Sequence, residues 1–173
     1  MTEKANEPVK MIVTPVRCEY NFTPGVASQK FLRALEKGKL FGQACDGCGK
    51  VYIPPRGACG RCGRATNREV ELKTTGTVVS YSVIRVPSEN ISLELPYVAA
   101  SIVLDGADIS IITLIQGCAY DEVRIGMRVE AVWRPKAEWG PSLNNISHFV
   151  PIDEPDIPFE QVKEPSEGAE VST

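Results

Sequence analysis

Six cysteines stand in the chain of 173 residues, and four of them fall in a repeat suited to holding a metal. Cys45-Asp46-Gly47-Cys48-Gly49-Lys50 and Cys59-Gly60-Arg61-Cys62-Gly63-Arg64 are two copies of C-x-x-C-G-basic, with ten residues between the inner cysteines. Two thiolates three apart on a tight turn can point at one ion. The glycine after the second permits the positive φ that turns backbone N–H groups toward the sulfurs, and two such knuckles complete a tetrahedron. Four sulfurs fill the coordination sphere and leave no position for water. The expected metal is therefore one structural Zn2+ per chain rather than a Lewis acid. Rubredoxin-like iron and a redox dithiol are the alternatives, and visible absorption separates iron from zinc.

A zinc tetrathiolate carries a formal charge of about -2, and Lys50, Arg56, Arg61, Arg64 and Arg68 lie in or beside the repeat. They compensate that charge on solvated loops, or they form a surface for an anionic partner such as a nucleic-acid backbone or the phosphates of coenzyme A. Little else in the chain is equipped for chemistry. The single histidine, His148, excludes His clusters and reads as structural. Cys18 and Cys118 have no histidine beside them and read as buried or incidental thiols.

Several elements must position these groups. Residues 1–24 carry three prolines and no sustained periodicity, and read as an arm. Residues 25–42 hold a short amphipathic helix and a linker. Thr23-Pro24 would cap the helix, Ala27, Phe31, Leu32, Ala34 and Leu35 form its apolar face, and Gly38 stops it. Lys30, Arg33 and Lys37 lie on its other side, a solvated or docking face. Residues 43–68 have too few core residues to fold without a staple, and make the zinc ribbon. From residue 69 the text turns to Val, Ile, Thr and Tyr divided by turn signals, giving strands over 76–86, 97–104, 109–116, 127–134 and 143–150. Gly76 is the expected kink in the first and Asp105-Gly106 a hairpin turn after the second. Five strands in about 80 residues suit a small barrel, and an OB-fold over 69–150 is the expected architecture. The fold class is thus mainly β, with an N-terminal helix, a rubredoxin-like ribbon and a five-stranded barrel. The last 23 residues, 151–173, hold seven acids and one base, and read as a disordered or draped tail.

Composition narrows the partners. With 43% apolar and 24% charged residues the chain is ordinary globular material, which excludes wholesale disorder. Nineteen Lys+Arg against 22 Asp+Glu give a net charge of -3, which argues against a protein whose main work is gripping phosphate backbones. A nucleic-acid-binding barrel would interleave aromatics with bases, and that pattern is thin. Tyr81 and Arg85 on the first strand and the Trp133 and Trp139 region are the main aromatic positions. No apolar stretch is long enough for a bilayer and the N-terminus lacks signal-peptide or transit-peptide character, so a cytoplasmic location is expected.

The order of helix, ribbon and barrel, with the segments Leu40-Phe41-Gly42-Gln43-Ala44-Cys45, Val51-Tyr52-Ile53-Pro54-Pro55-Arg56, Gly76-Thr77-Val78-Val79-Ser80-Tyr81, Pro96-Tyr97-Val98 and Val123-Arg124-Ile125-Gly126-Met127-Arg128-Val129, resembles the zinc-ribbon OB-fold family called domain of unknown function 35. The resemblance covers about residues 25–150. It implies an accessory subunit, without catalytic residues of its own, of an acyl-CoA thiolase or acyltransferase complex. Such a subunit docks on a thiolase-fold partner and helps to form its CoA or acyl-CoA site. A retro-aldolase or hydratase complex is the alternative, and an OB-fold nucleic-acid binder the next. Thiolase chemistry needs a nucleophilic cysteine with histidines, so it would reside in the partner. Arg56, Arg61, Arg64, Tyr81, Arg85 and Trp139 are the expected contacts to CoA or partner, and the loop over 87–96 would border a ligand at the barrel mouth.

Overall fold

The computed structural model describes residues 18–88 and 91–162. The first part of the expected arm and residues 163–173 of the acidic tail lie outside the described residues. Helix α1 spans Val26–Leu35. Its N-cap is Gly25, with no side-chain cap, so the expected Thr23-Pro24 cap is not the start of the helix. Gln29 instead sends its side-chain amide to Pro24 O at 2.8 Å. The C-terminus follows the expectation: Gly38 has φ +68, and Gly38 N–H and Lys39 N–H close onto Leu35 O and Ala34 O.

The ribbon is a three-stranded antiparallel sheet, β1 (Phe41–Cys45), β2 (Val51–Tyr52) and β3 (Thr66–Glu71), in the order β2-β1-β3. None of these strands announces itself by alternation. They are short, and their pairing is dictated by the knuckles that connect them. Strand β3 runs through residue 68, where the ribbon was expected to end.

Strands β4 (Thr75–Ile84), β5 (Tyr97–Leu104), β6 (Ser110–Ile115), β7 (Arg128–Trp133) and β8 (Ile146–Pro151) close a barrel in the order β4-β5-β6-β8-β7. The strands fall where the sequence pattern places them: β5 has the expected bounds, β6 and β7 lose one residue at each end, β4 starts one residue earlier and ends two earlier, and β8 starts three residues later and ends one later. Before β8, Leu143–Asn145 forms a 3-10 turn rather than strand, because Ser142 Oγ caps the Asn144 N–H. The bend in β4 is not at Gly76. The β4–β5 register shifts between Val78 and Ser80, so a bulge turns the strand. Gly76 serves close approach instead: a Cβ there would come within 2.7 Å of Val103 O. Val78, Ile102, Leu104, Val129 and Phe149 fill the barrel, and Phe31 and Leu35 of α1 extend the same core. Asn145, buried, donates to both Leu35 O and Gly140 O, tying the end of the helix to the barrel.

The start of the acidic tail drapes over the barrel. Arg128 pairs with Glu154, Arg124 pairs with Asp156, and Ile157 N–H donates to Gly126 O. Among the described residues no helix is long and apolar enough to cross a membrane.

Candidate metal centre and its surroundings

The two knuckles bring Cys45, Cys48, Cys59 and Cys62 together, with all four sulfurs within 4.8 Å of one another. Cys45 Sγ lies 3.3 Å from Cys62 Sγ, and Cys48 Sγ 3.7 Å from Cys59 Sγ. Zn–S bonds of about 2.3 Å in a tetrahedron require sulfur–sulfur edges of about 3.8 Å, so the donor set fits the ion in type and spacing. Gly49 and Gly63 both take positive φ, +73 and +68, as the sequence reading required of the glycine after each second cysteine. Backbone donors then face the sulfurs: Gly47 N–H and Cys48 N–H reach Cys45 Sγ at 3.3 and 3.5 Å, and Arg61 N–H reaches Cys59 Sγ at 3.4 Å. The N–H of Cys48 and then that of Gly47 hold the Cys45 thiol below its ordinary value, and the Tyr52 hydroxyl does the same for Cys59. Both shifts favour the thiolates that a metal needs.

A small buried cluster of Cys45, Tyr52 and Cys59 sits under the site, with Ile109 of the barrel packed against it. Val51 N–H donates to Asp108 Oδ2 at 2.9 Å and Asp108 N–H returns to Val51 O at 3.0 Å, which fastens β2 to the β5–β6 turn. Tyr52 and Asp108 escaped sequence reasoning. Tyr52 stands in a quoted segment, but nothing there marks its hydroxyl as a sulfur donor, and Asp108 is 57 residues from its partner.

The expected contact residues do not form one constellation. Arg56, Arg61 and Arg64 are exposed on the ribbon, with the Arg56 guanidinium 5.6 Å from the Tyr52 ring centroid. Tyr81 and Arg85 are exposed toward the far end of β4 and beyond it, and Arg85 lies over Tyr120 at 4.8 Å. Trp139 is half-buried and packs internally. Its ring centroid is 5.2 Å from that of Trp133, its indole N–H donates to Arg134 O, and its ring fills the space where a Cβ at Gly38 would sit. Within the loop over 87–96, Ile91, Leu93 and Leu95 are exposed, and residues 89 and 90 lie outside the described residues. Cys18 is exposed. Cys118 is half-buried at the core edge, where burial pushes its thiol up. His148 packs in β8 beside Ser147, and burial lowers its pKa.

The basic side of α1 borders a second feature. Lys30, Arg33 and Lys37 line a groove of about 740 Å3 together with Lys39 of the connection to the ribbon, Phe41 of β1 and Glu69 and Glu71 of β3. Lys30 lies 3.6 Å from Glu69 and Arg33 pairs with Glu36, so part of that charge is met within the chain.

A four-cysteine ribbon joined to a closed five-stranded barrel defines a zinc-ribbon OB-fold protein. Residues 33–68 match the family described as "ChsH2, rubredoxin-like zinc ribbon domain", and residues 69–134 match "ChsH2, C-terminal OB-fold domain". A DUF35 domain-containing scaffold protein of Methanocaldococcus jannaschii is 41% identical over 107 residues, covering 61% of this chain and 74% of that protein. One of Methanothermobacter thermautotrophicus is 35% identical over 61% of this chain and 79% of that protein. The chain belongs to the DUF35 family. Among solved structures, a chain of the "Ltp2-ChsH2(DUF35) aldolase" is 27% identical with a TM-score of 0.57, over 76% of this chain and 98% of that one. A DUF35-family protein of unknown function from Sulfolobus solfataricus is 26% identical with a TM-score of 0.53, over 62% of this chain and 78% of that one.

Proposed function

We propose that the chain is a noncatalytic, zinc-stabilised scaffold subunit of a cytoplasmic acyl-CoA thiolase complex, docking on a thiolase-fold subunit and helping to form its CoA site. The observation that carries this reading is the likeness to relatives described as scaffold proteins and to a chain solved within an aldolase assembly. The surface is consistent with it. Tyr20, Phe22 and Val26 are 78%, 72% and 76% exposed, large apolar side chains of the kind that a partner covers. Arg56, Arg61 and Arg64 offer cations for CoA phosphates, with Tyr81, Arg85 and the uncovered part of Trp139 as further contacts. A retro-aldolase partner is the second reading, favoured by the aldolase assembly of the structural neighbour.

Gel filtration with the cognate thiolase-fold subunit tests this. One complex is expected, binding CoA more tightly than the partner alone. A chain that elutes by itself and leaves CoA affinity unchanged contradicts the reading.

A further inference from the structure

We infer that Tyr52 is a positioning residue for the metal site, donating its phenol O–H to the Cys59 sulfur and thereby fixing that ligand in place. The two knuckles are alike in sequence and in glycine conformation, and each turns backbone N–H groups toward its first cysteine. Tyr52 breaks the likeness. Its Oη lies 3.2 Å from Cys59 Sγ, and no hydroxyl in the described residues is placed in this way at Cys45.

The direction of the bond follows from donor accounting. Gly60 N–H donates to Tyr52 Oη at 3.2 Å and occupies a lone pair, so the single phenol proton is free to point at the sulfur. The ring has little freedom to leave. Tyr52 is 3% exposed, and its neighbour Val51 is held from both backbone atoms by Asp108 of the barrel. The barrel therefore sets the position of the hydroxyl, and the hydroxyl sets the sulfur. A donor on a metal-bound thiolate orients its lone pairs and withdraws charge, and outer contacts of this kind are typically worth about 10- to 100-fold in metal affinity.

Tyr52→Phe removes one oxygen and keeps the ring. Competition with a chromophoric chelator should show zinc bound about tenfold more weakly. In the cobalt-loaded chain the sulfur-to-cobalt charge-transfer band should move to lower energy, because the sulfur lone pair has lost its donor. A merely structural role would lower the melting temperature and leave the band in place. Zinc affinity within about twofold of the parent together with an unmoved band overturns the inference. Should the variant not fold, proton NMR of the parent zinc form decides: a slowly exchanging Tyr52 hydroxyl proton with cross-relaxation to the Cys59 β-protons is expected, and a rapidly exchanging one with no such signal overturns it.

Discussion

Cys59→Ser, or removal of the metal by a strong chelator, should unfold the ribbon and leave the chain open to trypsin at Arg56, Arg61 and Arg64. The reason is a shortage of other material. Among the described residues the local cluster at the site consists of Cys45, Tyr52 and Cys59 with Ile109 packed against them, and Cys48 and Cys62 are exposed. Structural zinc contributes on the order of 10 to 16 kcal/mol in zinc-finger peptides, as much as or more than the whole stability of an ordinary domain. The damage should not stop at the sheet. Ala44, Val51 and Ile53 belong to the main core, and the paired bonds between Val51 and Asp108 are lost with β2. Circular dichroism melts with and without chelator should therefore show a barrel that survives at a lower temperature. A ribbon that stays protease-resistant without metal contradicts the assignment of zinc as its staple.

Arg128→Met should be the most costly single change in the barrel. Arg128 is 8% exposed and its guanidinium engages four acceptors at once. Two bonds of 2.8 and 2.7 Å form a fork on Asp105, a third goes to Thr77 Oγ1 on β4, and a fourth to Glu154 of the draped tail. Breaking a buried pair by removing one partner costs about 3 to 5 kcal/mol. The Asp105 side chain keeps 30% exposure, which places the expected loss near 3 kcal/mol. For a chain of this size that is a fall of about 6 to 12 °C in melting temperature. Asp105→Asn added to Arg128→Met should recover part of it.

The same pair makes an acid-dependent contribution. Arg128 holds the Asp105 carboxyl below its ordinary value, with Thr75 assisting. A depressed folded pKa stabilises above the unfolded value of about 3.9 and ceases to do so as pH falls through the folded one. The stability gap between parent and Arg128→Met should accordingly be complete at neutral pH and narrow below about pH 4. A gap independent of pH down to 3 would contradict the pairing.

The parts of this fold that local sequence reveals are those whose physics is local. The knuckles declare themselves because two thiolates and a glycine must be close in sequence to turn on one ion. The barrel strands do so because period-two alternation is a property of each strand alone. Gly38 marked the end of α1 for the same reason. What escaped is what forms only when distant segments meet. The fork of Arg128 on Asp105 spans 23 residues and the Val51–Asp108 bonds span 57, so neither leaves a signature in a short window. Trp139 stands in the sequence as an expected contact, and its packing against Gly38 and Trp133 is set by tertiary structure that no local pattern encodes.

The chain as a scaffold for another subunit's chemistry is tested most directly by acyl-CoA turnover, measured for the purified chain, for the thiolase-fold subunit and for the two together. No turnover by the chain alone, and a rate with both present that exceeds the subunit's own, are the predicted results. Cleavage of an acyl thioester by this chain unaided would contradict the account.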